Sequence, residues 1–381
     1  MNTMQMKNKA SIYFDNAATT PLTDSVIEAM TTVMKDTFGN PSSIHAFGRE
    51  ANKLLRESRQ DIAQLLKVPA RDIIFTSGGT ESNNTAIKGY ALANQNKGKH
   101  LITTAIEHHS VLHTMAYLEK TFHFEVTYLT PKNGHISAEQ VKEALREDTI
   151  LVSIMAANNE TGDLLPIAEI GELLRDHPAA FHVDAVQLMG KRPIYPLELG
   201  IDFLSASAHK FHGPKGIGFL FSHSNHFDAL LHGGDQEEKR RASTENLIGI
   251  IGMVRALKDA YAEMDNNWNK IEELSRQLLS QLEGIPFYLN KNQPSLPHVL
   301  NIGFPNHQNG ILLTRLDIDN IAISTGSACT AGTVEPSHVL EAFYGQGATQ
   351  LDESVRISLS DQNSSEEVIQ VTDSIKKIIG G

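Results

Sequence analysis

Along this chain, stretches with apolar residues at helical spacing alternate with short apolar runs that lack it. The segment TDSVIEAMTTVMKD (23–36) opens on a threonine suited to capping and repeats apolar positions three and four apart, which predicts a helix. Residues 45–66 predict a second, amphipathic helix. The runs DIIFTS (72–77), HLITTA (100–105), FEVTYLT (124–130), TILVSIM (149–155) and AAFHVDAV (179–186) predict strands. Helical patterns separate them at 78–93, 110–120, 137–147 and 167–177. The third of these opens on a capping box, Ser137 with Gln140. Near-continuous apolar strands divided by helices predict an α/β fold with a mostly parallel sheet covered on both faces. In such a sheet the ligand lies along the edge where the strands end.

From residue 201 the pattern changes. IDFLSAS (201–207) and GIGFLFS (216–222) lie close together, joined by a loop of histidine, lysine, proline and glycine. A long helical region at 247–283 then leads into a second, smaller α+β unit that runs to the C-terminus. With 381 residues the chain has room for two domains. Its formal charge of −12 predicts no nucleic-acid-binding surface, which needs a basic footprint. No apolar stretch resembles a signal peptide or a membrane span, so the expected location is the cytoplasm, away from membranes. A single cysteine, Cys329, excludes an internal disulfide and any cysteine-rich metal cluster.

Several segments bear chemistry. In TSGGTES (76–82) a strand ends, two glycines follow and Thr80 opens a helix. Free N–H groups there suit an anion such as phosphate, or the glycines are ordinary loop residues. Asp184 ends an apolar strand, where a carboxylate is costly unless it meets a cation or donors. It is either a cap or ion-pair partner, or an acceptor for a protonated ring nitrogen. Lys210 follows a strand beside Ser207 and His209. It is either a lysine reaching for solvent or an amine that forms an imine with an aldehyde. A phosphate cradle, a buried acid and an imine-forming amine are together what pyridoxal phosphate requires. Of His108, His109 and His113, the last two are four apart on a helix, a metal-binding spacing, but no third ligand is evident and no metal is expected. A flat imidazole stacked on an aromatic cofactor is the better use for one of the three. Cys329 stands among small polar residues rather than apolar ones, which favours a reactive thiol. Arg356, in the alternating strand VRISLS, is an exposed-face arginine or a clamp for a substrate carboxylate.

The segments YFDNAATTPL, GNPSSIHAFGREA, FTSGGTESNN, EHHSV, NNETG, HVDAVQ, SAHKFHGPKG, RRASTENLIGIIG and GSACTAGTVEPSHVL span almost the whole chain. In that order they resemble the cysteine desulfurases, class V aminotransferases of fold-type I that depend on pyridoxal 5'-phosphate. The resemblance implies a seven-stranded, mostly parallel sheet sandwiched by helices in a large domain (16–258). It implies a smaller α+β domain (1–15 and 259–381) that carries the cysteine loop at about 324–336. It implies that Lys210 binds the cofactor covalently, His108 stacks on the ring, Asp184 pairs with the ring nitrogen and Gln187 meets the ring hydroxyl. Gly79, Thr80, Ser207 and His209 would hold the phosphate, and Thr244 would reach the phosphate of a second subunit in a homodimer. Asn159 and Arg356 would position L-cysteine, with Asn159 also beside the cofactor. Cys329 would take the sulfur as a persulfide and pass it to an acceptor protein, an iron–sulfur scaffold or a tRNA-thiolating enzyme. A selenocysteine lyase, another class V aminotransferase and an inactive sulfur-transfer scaffold are the competing readings. The chain departs from the family at Asp235, at the run Glu237–Glu238–Lys239 and at His212.

Overall fold

The computed structural model describes residues 11–224, 226–291, 294–326 and 336–380. Its strands are β1 (Ile12–Tyr13), β2 (Ile73–Thr76), β3 (His100–Thr104), β4 (Glu125–Leu129), β5 (Thr149–Ser153) and β6 (Ala180–Asp184). They continue as β7 (Phe203–Ser207), β8 (Gly218–Ser222), β9 (Tyr288–Leu289), β10 (Val299–Gly303), β11 (Ile321–Ala322) and β12 (Ser354–Ser358). Seven strands form the main sheet in the order β2-β8-β7-β6-β5-β3-β4. The pairs among β7, β6, β5, β3 and β4 are parallel, whereas β8 is antiparallel to both β7 and β2. The loop between β7 and β8 is too short for the crossover that a parallel pair needs, which accounts for the reversal of β8. Because β8 opposes both neighbours, β2 runs the same way as β7. The C-terminal ends of β2, β3, β5, β6 and β7 therefore share one edge.

Alternation along the strands covers both faces. Phe219 and Phe221 enter one apolar core and Leu220 the core on the opposite face; Ile73 and Phe75 divide from Ile74 in the same way. All six are buried, as the near-continuous apolar strands predict. A third core gathers Phe14, Leu300, Ile302, Val355 and Ile357 with Val368, Val371 and Ile375 of the helix Ser365–Ile379. It sits beside the antiparallel sheet β12-β10-β9.

The predicted helix over 247–283 is two helices, Leu247–Ala262 and Met264–Gln281, broken at Glu263 (φ −105°, ψ 13°). Leu247, Ile250, Met253 and Leu257 pack into the first core, and Leu274, Leu278 and Leu282 into the core beside β10 and β12. A single straight rod could not serve both. The segment 78–93 also differs in detail. Gly79–Asn84 passes through a π-helical turn, Thr85–Gly89, into Tyr90–Asn94.

Glu237, in the stretch that departs from the family, is buried rather than displayed. Its carboxylate takes both arms of Arg59, at 2.6 and 2.7 Å, and the backbone N–H of Phe75 in β2 at 3.1 Å. The backbone of Glu237, Glu238 and Lys239 is left-handed throughout (φ 48°, 56° and 66°). Among the described residues no helix is long and apolar enough to cross a membrane.

The capping box expected at Ser137 is present. Its hydroxyl accepts from Gln140 N at 3.3 Å, and Gln140 Oε1 accepts from Ser137 N at 3.0 Å. Ser137→Ala is expected to lower unfolding stability by about 1 kcal/mol. Urea unfolding of the two proteins side by side checks it, and equal midpoints would refute it.

Candidate active site

The shared strand edge opens into a cavity of about 450 Å³. Its lining includes Gly79, Thr80, His108, Asn159, Asp184 and Gln187, together with Ser207, His209, Lys210 and Arg356. Ten of the residues singled out from the sequence thus meet in one place. Thr244 is not part of this lining, and Cys329 lies outside the described residues.

Each side chain owes its place to a strand end. Asp184 closes β6 and is 6% exposed. Its carboxylate accepts from Asn83 Nδ2 at 2.7 Å and from Val186 N at 3.0 Å, so its burial is compensated. Lys210 follows β7 after a single 3₁₀ turn, Ala208–Lys210. Its Nζ donates to the carbonyls of Ala17 and Ala18, each at 2.7 Å. The same Ala17 carbonyl accepts from Gln187 Nε2 at 3.0 Å, while Gln187 Oε1 is buried without a partner among the described residues.

His108 caps the helix His109–Phe122. Its Nδ1 accepts from Ser110 N at 3.1 Å and lies 2.8 Å from Ser110 Oγ. Burial lowers its pKa, the Asp184 charge works the other way, and the Lys210 charge adds to the lowering. The ring is therefore neutral at neutral pH, a flat acceptor rather than a cation. His209 is pushed down to about 4, chiefly by burial and then by the charge of Lys210. Next to His108 in sequence, Glu107 is raised to about 8 by burial, against hydrogen bonds from Met155 N (3.0 Å) and Thr104 Oγ1 (2.8 Å).

At the opposite end, Gly78 takes a left-handed backbone (φ 146°) that leads from β2 into the helix beginning at Gly79. A side chain at Gly78 would stand 3.3 Å from Ser207 Oγ, and one at Gly79 would be 2.7 Å from Val186 Cγ2. The two glycines keep this corner of the cavity, beside Ser207, free of side chains.

Arg356 is 1% exposed, so the alternating pattern of its strand did not place it on a solvent face. Its guanidinium donates to the carbonyls of Asn159 (2.9 Å) and Gly326 (2.8 Å), to Asp15 Oδ1 (2.9 Å) and to Ser324 Oγ (3.3 Å). His109 Nδ1 and His113 Nε2 are 3.3 Å apart, and the ring of His338 lies 4.6 Å from that of His109. Among the described residues no group of three or more His, Cys, Asp or Glu is arranged to hold a metal ion.

Asn83, Glu107 and the turn Ala17–Ala18 were not singled out from the sequence. Asn83 sits within a helical pattern and the alanines offer only carbonyls, so neither carries a side-chain signal. The polar run ESNN in the first helical turns was the available clue for Asn83.

The family model described as aminotransferase class-V matches residues 12–371. The putative cysteine desulfurase IscS 1 of Bacillus subtilis (strain 168) is 48% identical over 376 residues, 96% of this chain and 99% of the relative. A solved structure of a NifS-like protein superposes with a TM-score of 0.91 at 36% identity, covering 97% of this chain and all of that one. A structure of SspA in complex with cysteine superposes with a TM-score of 0.81 at 36% identity, over 93% of this chain and all of that one. Fold, strand-edge cavity and sequence agree over nearly the full length: the chain belongs to the class-V aminotransferase family, in the group of the IscS cysteine desulfurases.

Proposed function

We propose that the chain is a pyridoxal-phosphate-dependent cysteine desulfurase that converts L-cysteine to L-alanine and stores the sulfur on Cys329. The observation that carries this reading is the meeting of Lys210, Asp184 and the Gly78–Gly79 hollow in one cavity. The residues fit the cofactor. The hollow that a Cβ would fill suits a phosphate, with Thr80, Ser207 and His209 around it. The acid held by Asn83 suits a protonated ring nitrogen, and the unpartnered Gln187 Oε1 suits a hydroxyl donor. When bound, pyridoxal phosphate supplies an aldehyde that links to amines and an electron sink for the charge left when a Cα–H bond breaks.

The chain's own residues do the rest. The amine of Lys210 holds the cofactor and, once released, takes the Cα proton of the substrate. Asp184 keeps the ring nitrogen's proton in place. The neutral ring of His108 would hold the cofactor by lying against its ring. Asn159 and Arg356 orient the substrate carboxylate, for which Arg356 must turn some of its donors away from backbone carbonyls. The Cys329 thiol then takes the sulfur: the substrate's C–S bond breaks, an S–S bond forms on Cys329, and alanine and the persulfide balance cysteine and the thiol without an oxidant.

One cysteine in the chain means no second thiol can collect that sulfur internally. The persulfide passes to a thiol of another protein, serving iron–sulfur cluster assembly or tRNA thiolation. We further infer a homodimer in which Thr244 completes the partner's phosphate site, a division into large (16–258) and small (1–15 and 259–381) domains, and a cytoplasmic location. The separate core around Phe14, Leu278 and Val355 supports the division.

The test is to supply sulfur-labelled L-cysteine, measure alanine and digest the protein. Alanine in step with label on the Cys329 peptide is expected, and Cys329→Ala should keep cofactor binding but lose alanine formation by about 100-fold or more. A keto acid in place of alanine, or an unchanged rate in the variant, would point to an aminotransferase or a lyase instead.

A further inference from the structure

Glu160 is wholly buried, yet no part of the reaction described above uses it. It lies in the NNETG stretch, and its backbone is fixed from both sides. Its N–H donates to Asn158 Oδ1 at 2.8 Å, and its carbonyl accepts from Asn301 Nδ2 at 3.1 Å. Asn158 is itself tied to the carbonyl of Ile106 at 2.9 Å. The side chain is thus presented from a rigid turn.

What that side chain meets is informative. Oε2 accepts a hydrogen bond from Ser337 Oγ. On its other side is Gly326, whose backbone is left-handed (φ 120°) and where an added Cβ would stand 2.5 Å from the same Oε2. The neighbouring Asn159 carbonyl and the Gly326 carbonyl share the two-headed grip of Arg356 NH1, at 2.9 and 2.8 Å. Residues 326 and 337 flank the segment that holds Cys329. The carboxyl therefore bonds one flank, at Ser337, and leaves no room for a side chain on the other, at Gly326. A buried acid kept without a full set of partners is costly, since Glu160 Oε1 has none among the described residues.

We propose that Glu160 is a positioning residue that ties the flank following the Cys329 segment, at Ser337, to the rim of the active-site cavity and packs close to the flank preceding it, at Gly326. This deepens the desulfurase reading and rests on it for its purpose. An acceptor oxygen, rather than a charge, does the pinning. Burial raises the pKa of Glu160 against the His338, Ser337 and Arg356 contributions. Glutamine, which keeps an acceptor oxygen at the same reach, should therefore replace it.

Cys329 is the only thiol in the chain, so alkylation of the whole protein reads that one position. Glu160→Ala should speed alkylation of Cys329 by iodoacetamide about tenfold, the factor that one lost hydrogen bond is worth. Ser337→Ala removes the donor of that contact, together with the cap its hydroxyl gives Leu340 N, and should act in the same direction. Glu160→Gln should stay within about twofold of the unsubstituted protein. With L-cysteine, alanine formation should fall in Glu160→Ala and recover in Glu160→Gln. Alkylation rates that are unchanged or slower in both Glu160→Ala and Ser337→Ala overturn the inference, as does a Glu160→Gln protein that behaves like the alanine variant. The alkylation readout needs no turnover. A protein that makes no alanine at all would sink the desulfurase reading while leaving the pinning test intact.

Discussion

Lys210→Ala lowers the rate of alanine formation from L-cysteine by about 10³-fold, the scale of a lost proton-transfer group, with a further loss from the missing covalent anchor. The cavity has a second lysine in its lining, Lys215, so the choice between the two needs a physical reason. Lys215 is exposed, whereas the amine of Lys210 is held at 2.7 Å by two backbone carbonyls inside the cavity. The charges of both lysines lower His209, but at His108 it is the charge of Lys210 that acts, which places Lys210 among the groups that would surround the cofactor. A flexible surface lysine would pay rotamer entropy on every encounter that Lys210 has already paid. Borohydride reduction of the cofactor-loaded protein should leave its mass tag on the peptide containing Lys210, and Lys210→Ala should carry none. A tag on Lys215, or a variant within tenfold of the normal rate, would remove the basis of the proposed function.

The parts of this molecule that could be read before folding are those whose signal is local. The strands β3, β5 and β6 have apolar residues on both faces and so declare burial on both. Ser137 announces its helix because a cap is a contact three residues long. The residues that meet in the cavity stood out in the sequence for a related reason. A carboxylate or lysine at the end of an apolar strand is conspicuous, and strand ends of a parallel sheet meet at one edge. What escaped depends on distant partners. The strands β1 and β11 are two residues each and carry no period; they exist because Ile12 and Tyr13 pair with Ile321 and Ala322 from the far end of the chain. The break at Glu263 follows from two cores competing for one helix, which no window of sequence contains. Arg356 read either as a residue on a free face or as a carboxylate clamp, and only the fold brings Asp15, Asn159 and Gly326 around its head. Glu237 was conspicuous as a departure from the family, yet its partner Arg59 lies far away in sequence.

Acidification should expose a buried histidine of the main sheet. His182, in β6, is 0% exposed and bridges Ser153 Oγ (2.8 Å) and Ser205 Oγ (3.0 Å), joining three adjacent strands by their side chains. Burial pushes its pKa down from 6.5 to about 3. The sign follows from proton counting. Between pH 6.5 and about 3 the unfolded chain binds a proton at this histidine that the folded chain refuses, so folding loses stability as the pH falls. Above pH 6.5 both states are neutral and the contribution is flat. At pH 5 the loss from this one group is about 2 kcal/mol, at about 1.4 kcal/mol per pH unit. The whole-protein curve will not show it cleanly, because Glu107 acts with the opposite sign. Its folded pKa is raised from 4.5 to about 8, so the folded chain gains a proton first and gains stability as the pH falls through that range. The difference between two proteins separates them. His182→Gln keeps hydrogen-bonding capacity towards the serines but cannot titrate. Relative to the unsubstituted protein, it should become more stable by about 2 kcal/mol on going from pH 7.5 to pH 5, whatever its offset at pH 7.5. Urea unfolding of both proteins at the two pH values measures this. An unchanged difference would mean that His182 titrates alike in the folded and unfolded chain, and that β6 is open enough at Ser153 and Ser205 to let water reach the ring.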